Sequence, residues 1–132
     1  MTTTQPISIL LVDDNPLVTE SVAAWLEDDG FEVHTAACGT EAIELLATIH
    51  IDITLIDLKL PDMSGEELII KMFGIYPESR FLIHTGTQSY MLSLDLQKLG
   101  MQDDDVVYKP VLKLEQLTGL IRRKVMGENL KE

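Results

Sequence analysis

Five side chains in this sequence could act together on one chemical group: the carboxylates of Asp13, Asp14 and Asp57, the hydroxyl of Thr85 and the ammonium of Lys109, with Gly86 beside them. Three carboxylates brought together repel one another unless a cation lies among them, and an all-oxygen set completed by water suits Mg²⁺ or Mn²⁺. Lys109 and Thr85 are both suited to oxygens that carry negative charge, and Gly86 leaves room for a group to approach. Such a set would hold an anion against a carboxylate with the help of a divalent ion.

Whether these residues meet depends on the elements that carry them. The stretch ITLIDLKLPDMSG at 53–65 is the plainest. Its short aliphatic run reads as a strand over 53–57 buried on both faces, ending on Asp57. Pro61 cannot continue a ladder, and Ser64 with Glu67 forms a capping-box pattern that starts a helix over 65–74, which Pro77 keeps from continuing. A first strand is expected over 7–12. Asn15 then caps a helix with Pro16 at its first position; Val18, Val22, Trp25, Leu26 and Asp29 recur at helical spacing before Gly30 ends it. Residues 31–36 alternate like an edge strand, and Ala42, Leu45, Leu46 and Ile49 mark one face of a second helix. A fourth strand over 80–85, a fourth helix over 88–99, a fifth strand over 105–108 and a last helix bearing Leu114, Leu117, Leu120 and Ile121 complete five βα units.

That alternation predicts an α/β fold with a parallel sheet and helices on both faces. Asp13-Asp14, Asp57, Thr85-Gly86 and Lys109-Pro110 all fall at C-terminal strand ends, the edge where open parallel sheets bind ligands. Asp103-Asp104-Asp105 precedes a strand and reads as a solvated acidic turn at the opposite edge. His34, His50 and His84 show no metal-pair spacing and read as structural or surface residues; the methionines read as core filler.

At 132 residues the chain is one domain, and 45% hydrophobic with 24% charged residues gives no case for disorder. Its net charge of −12 argues against nucleic acid as a partner, and Arg122-Arg123-Lys124 reads as cations at a helix C-terminus. One cysteine, Cys38, an N-terminus without basic residues and an apolar run too short for a membrane span lead to an expectation of a cytoplasmic protein with no membrane partner.

The ordered set Asp13-Asp14, Asp57 with Pro61 four and Gly65 eight residues on, Thr85-Gly86 and Lys109-Pro110 resembles the receiver domain of two-component response regulators. The resemblance covers nearly the whole chain, residues 1–126, leaving 127–132 as a polar tail. It implies a flavodoxin-like, doubly wound three-layer sandwich with strand order 2-1-3-4-5. It implies phosphorylation of Asp57 by a sensor histidine kinase or a histidine phosphotransfer protein, and so a phosphoacceptor rather than an enzyme in its own right. By the same resemblance Asp14, Asp57 and the Lys59 backbone carbonyl bind Mg²⁺ directly, Asp13 acts through a water, and Thr85 and Lys109 hold phosphoryl oxygens. The output would be a downstream protein or a homodimer, through the face made by the fourth helix, fifth strand and fifth helix.

Lys59 and Thr87, each two residues beyond a site residue, are expected to flank the mouth and set phosphate lifetime. Receivers usually carry Tyr or Phe where this chain has Val106, and Tyr108, on the same strand face, is the candidate to replace that gate; its alternative is packing against a neighbouring helix. Two rival chemistries fit poorly. An aspartyl-phosphate phosphatase would want a carboxylate two residues after the first, where this chain has Lys59, and a nucleotide-binding domain would want a Gly-rich loop where it has VDDNP. A phosphorylation-independent interaction module of the same fold remains as the alternative.

Overall fold

The computed structural model describes residues 5–110 and 113–127; the expected tail beyond Gly127 lies outside the described residues. Five strands, β1 (Ser8–Val12), β2 (Glu32–Ala36), β3 (Ile53–Ile56), β4 (Arg80–Thr85) and β5 (Val106–Tyr108), alternate with α1 (Pro16–Asp28), α2 (Gly39–Thr48), α3 (Gly65–Ile75), α4 (Leu94–Lys98) and α5 (Leu114–Met126). All neighbouring strands pair in parallel, in the order β2-β1-β3-β4-β5.

Side chains alternate across a strand, so each strand feeds two cores. Ile9, Leu11, Ile53, Leu55 and Leu82 pack with Val22 and Leu26 of α1 and Leu117 and Ile121 of α5. On the other face Leu10, Val12, Ile56 and Ile83 pack with Ala42 of α2, Leu68, Ile69 and Met72 of α3 and Leu96 of α4. The three layers follow. Because β1 and β3 are covered on both sides, they read as mostly aliphatic runs, with Ser8 and Thr54 the buried polar exceptions, and burying each aliphatic side chain contributes about 1.5–3 kcal/mol.

The helix starts follow their local chemistry. The Asn15 side chain accepts from the Leu17 amide ahead of Pro16, and Ser64 Oγ accepts from the Glu67 amide, the forward half of the expected box. Gly30 has φ +95, which closes α1 as the sequence indicates.

Four expectations need correction. The fourth helix does not run over 88–99: it begins at Leu94, because Ser93 is its N-cap and the Tyr90 amide turns back to the Thr87 carbonyl at 3.3 Å. The expected stripe there is weak, and Thr87, Ser89 and Ser93 favour turns and caps. Asp103–Asp105 is a 3-10 turn and only partly a solvated one, since Asp105 is buried. Met91 and Met126 are exposed rather than core residues, and Trp25 stands 42% exposed on α1.

Candidate functional site

β1 and β3 run side by side with Val12 opposite Ile56, so the residues that follow, Asp13 and Asp57, emerge together. The Asp57 amide donates to the Val12 carbonyl at 2.9 Å and the Asp13 amide to Ala36 at 3.1 Å, which fixes both backbones just past the strand ends. One strand further out, Thr85 pairs with Tyr108, and the Lys109 amide donates to the Thr85 carbonyl at 2.8 Å. The ladder thus delivers Asp13, Asp57, Thr85 and Lys109 to one edge.

Oxygens of Asp13, Asp14 and Asp57 lie within 4.8 Å of one another. Lys109 Nζ donates to Asp13 Oδ2 at 2.8 Å and to Asp57 Oδ2 at 3.3 Å. Asp13 is buried, Asp57 is half-buried and Asp14 is exposed; Asp13 Oδ1 accepts from the Asn15 amide at 2.9 Å, turning the chain into α1. Burial raises the Asp57 carboxyl above its ordinary value; Lys109 counteracts this and the charge of Asp13 adds to it. Burial pulls the Lys109 ammonium down, but its hydrogen bond to Asp13 and the two nearby carboxylates more than compensate, leaving it raised. Among the described residues, therefore, the one ammonium paired with this group reaches two of its three carboxylates, Asp13 and Asp57. A second positive charge fits here, and the donor set, all oxygen with an exposed side open to water, is that of a small hard ion such as Mg²⁺.

The loop beyond Asp57 is held at its neck. The Gly65 amide donates to the Leu58 carbonyl at 2.8 Å, and Lys59 bridges Ser64 in antiparallel fashion. A Cβ on Gly65 would collide with the Asp57 carbonyl oxygen, so glycine is demanded at this close approach. Thr85 is buried and its Oγ accepts from the Thr87 amide at 3.0 Å, leaving the hydroxyl proton for another acceptor. Lys59 and Thr87 are both exposed.

Tyr108 is 39% exposed, and its hydroxyl donates to the Tyr90 carbonyl at 3.5 Å. Val106, on the same strand face, packs into the core beside α4.

Two neighbours escaped the sequence reading: Asp62 reaches across to α2, and Tyr90 hydrogen-bonds Glu66 of α3. His84, read as structural or surface, is buried close enough to Lys109 to feel its charge. Burial first, then Lys109, lowers the His84 pKa to about 4, so the ring is neutral. His34 and His50 pair with Glu32 and Asp52 at 2.8 and 2.7 Å, and neither joins an acidic group that could hold a metal among the described residues.

Comparisons with known proteins agree with this arrangement. The chain is 32% identical over 122 residues to the probable transcriptional regulatory protein TcrX of Mycobacterium tuberculosis, covering 90% of this chain and 51% of the relative. It is 31% identical over 118 residues to the cell cycle response regulator CtrA of Brucella ovis, covering 87% and 50%. The chain thus spans about half the length of these curated relatives. A solved CheY-like response regulator receiver domain from Methanospirillum hungatei superposes with a TM-score of 0.78 at 27% identity, covering 97% of this chain and 100% of that one. The sequence profile of the response regulator receiver domain matches residues 9–122, and with the parallel sheet and its acidic edge this places the chain in the family of response regulator receiver domains.

Proposed function

We propose that Asp57 is the phosphoacceptor of this receiver and that a sensor histidine kinase or a histidine phosphotransfer protein is the donor. The observation that carries the reading is the meeting of Asp13, Asp14 and Asp57 within 4.8 Å, with the Lys109 ammonium 3.3 Å from Asp57. An Asp57 carboxylate oxygen attacks the phosphorus; the new O–P bond forms as the N–P bond breaks, and the histidine nitrogen leaves with the electron pair. Lys109 and the Thr85 hydroxyl hold phosphoryl oxygens, and Lys109 remains protonated throughout. Asp14, Asp57 and the Lys59 carbonyl would be the direct ligands of Mg²⁺ and Asp13 would act through a water; the ion would supply the charge stabilisation that this transfer chiefly needs.

The exposed positions of Lys59 and Thr87 suit control of water's access, and hence of phosphate lifetime. Tyr108, opposite Thr85 in the ladder and in contact with the Tyr90 carbonyl, takes the gating part that Val106 cannot play. Met91 at 83% and Leu94 at 71% exposed, with Tyr108, support the α4-β5-α5 face as the surface that meets a downstream protein or a second copy. Among the described residues no helix is long and apolar enough to cross a membrane.

The test is intact mass after incubation with acetyl phosphate and Mg²⁺. One phosphoryl group is expected on the parent and none on Asp57→Asn. Equal labelling of the two overturns the assignment.

A further inference from the structure

Helix α2 starts without a cap of its own, since Cys38 at its N-cap makes no capping hydrogen bond. Its first amides are satisfied from another part of the chain. Asp62 Oδ1 accepts from the Gly39 amide at 2.8 Å, while Oδ2 accepts from the Thr40 amide at 2.9 Å and from Thr40 Oγ1 at 2.7 Å. Both carboxylate oxygens are engaged, and the Thr40 hydroxyl, followed by the two amides, holds the Asp62 carboxyl down to about 2. The contact therefore persists in its charged form across the whole neutral range.

Asp62 lies in the loop between β3 and α3 that begins with Asp57 and Lys59. The Gly65–Leu58 hydrogen bond and the Lys59–Ser64 bridge join the loop's two limbs to each other, so they set its neck. Neither ties its outer part to the rest of the protein. Asp62 does, and Met63 seats the same segment against α2: a Cβ on Gly39 would fall 2.5 Å from Met63 Sδ. The free N-terminal amides of a helix could be capped as well by residue 38; a side chain from the Asp57 loop adds a constraint that a local cap lacks.

We propose that Asp62 is a positioning residue for the cation site: clamped on the start of α2, it holds the 57–65 loop so that the Lys59 carbonyl faces the carboxylates of Asp13, Asp14 and Asp57. The inference rests on the reading of Asp57 and Lys59 given above. Partners that orient metal ligands typically change affinity by about 10- to 100-fold when lost.

The experiment measures Mg²⁺ affinity by calorimetry, and thermal midpoints in parallel, for the full chain, Asp62→Ala, and Asp62→Ala combined with Cys38→Ser. The backbone at Cys38, φ −156 and ψ 169, is extended as an N-cap requires, so serine there supplies α2 with its own cap. Titrations are run well below every midpoint, where all variants are folded and affinity alone decides. Asp62→Ala is expected to weaken Mg²⁺ binding about tenfold, and the double variant to remain equally weak whatever its midpoint. Parent-like affinity in Asp62→Ala, or recovered affinity in the double variant, overturns the proposal and leaves Asp62 as a helix cap alone. If the parent itself binds no Mg²⁺, the metal reading fails first and this inference with it.

Discussion

At the C-terminal edge of the sheet Asp13 and Asp57 share one ammonium, Lys109, with the exposed Asp14 beside them, whereas at the N-terminal edge Asp104 and Asp105 face the cations of Arg123 and Lys124. Lys124 Nζ lies 2.8 Å from Asp104 and 3.0 Å from Asp105, and Arg123 lies 2.8 Å from Asp104. In sequence the two acidic runs look alike. In space two of the three acids of one run, Asp104 and Asp105, are paired by Arg123 and Lys124 in the last turn of α5, and the other is left short of positive charge at the open end of four strands. A balanced network holds elements together; an unbalanced one leaves room for a further positive charge.

The largest expected effect separates the two lysines. Lys109→Met should slow phosphorylation about 100-fold, as when one preorganised stabilising group is removed from a reacting oxyanion. Lys124→Met should label normally but unfold at lower temperature, by roughly 3 kcal/mol, because it leaves the buried Asp105 without its cation. Rates of acetyl-phosphate labelling and thermal melts of both variants give the comparison. It breaks if Lys124→Met loses labelling while retaining its fold.

A middling effect concerns the metal. Asp14→Asn should weaken Mg²⁺ binding about tenfold and Asp13→Asn by less, because Asp13 already has Lys109 and the Asn15 amide as partners. Asp104→Asn should leave the affinity untouched. Calorimetric titration checks all three, and a larger loss in Asp13→Asn than in Asp14→Asn would reverse the assignment of direct and water-mediated ligands.

Acid should move the two edges in opposite directions, by a few degrees at most. The Asp57 carboxyl is raised above 3.8 in the folded protein, so its ionised form opposes folding: in metal-free buffer Asp57→Asn should melt higher at neutral pH, and that gain should fade as pH drops through the raised value toward 3.8. Asp104 is lowered below 3.8, chiefly by its hydrogen bond from Lys124, so its contribution is complete above 3.8 and is lost as pH falls through the lowered value. Melting Asp57→Asn and Asp104→Asn against the parent from neutral pH downward should therefore give differences of opposite sign, both shrinking in acid. The same sign for both would remove the distinction between the edges.

What could be read from sequence was whatever short-range pattern records. Aliphatic runs ending in Asp13 and Asp57 announce strands and their exits, and Asn15-Pro16 and Ser64 announce helix starts. Long-range partners leave no such trace. Nothing near Asp105 in the chain reveals that Lys124 will bury it, and nothing near Cys38 reveals that the cap of α2 comes from Asp62. The overlong fourth helix has a different cause: its stripe is weak, and Tyr90 is held by Glu66 and by the turn to Thr87 instead of by helical neighbours. Tyr108 fell between the two, its strand face predictable and its contact with the Tyr90 carbonyl not.

The two tight glycines beside the site also bear on how this sequence can drift. At Gly39 the obstacle to a side chain is the flexible thioether of Met63, so a substitution there can be rescued by a second one at 63. At Gly65 the obstacle is backbone, the Asp57 carbonyl oxygen and Leu58 Cα, and no change of a neighbouring side chain clears it. Mutational paths through 39 are open in pairs, whereas every path through 65 must first move the backbone of Asp57 and Leu58.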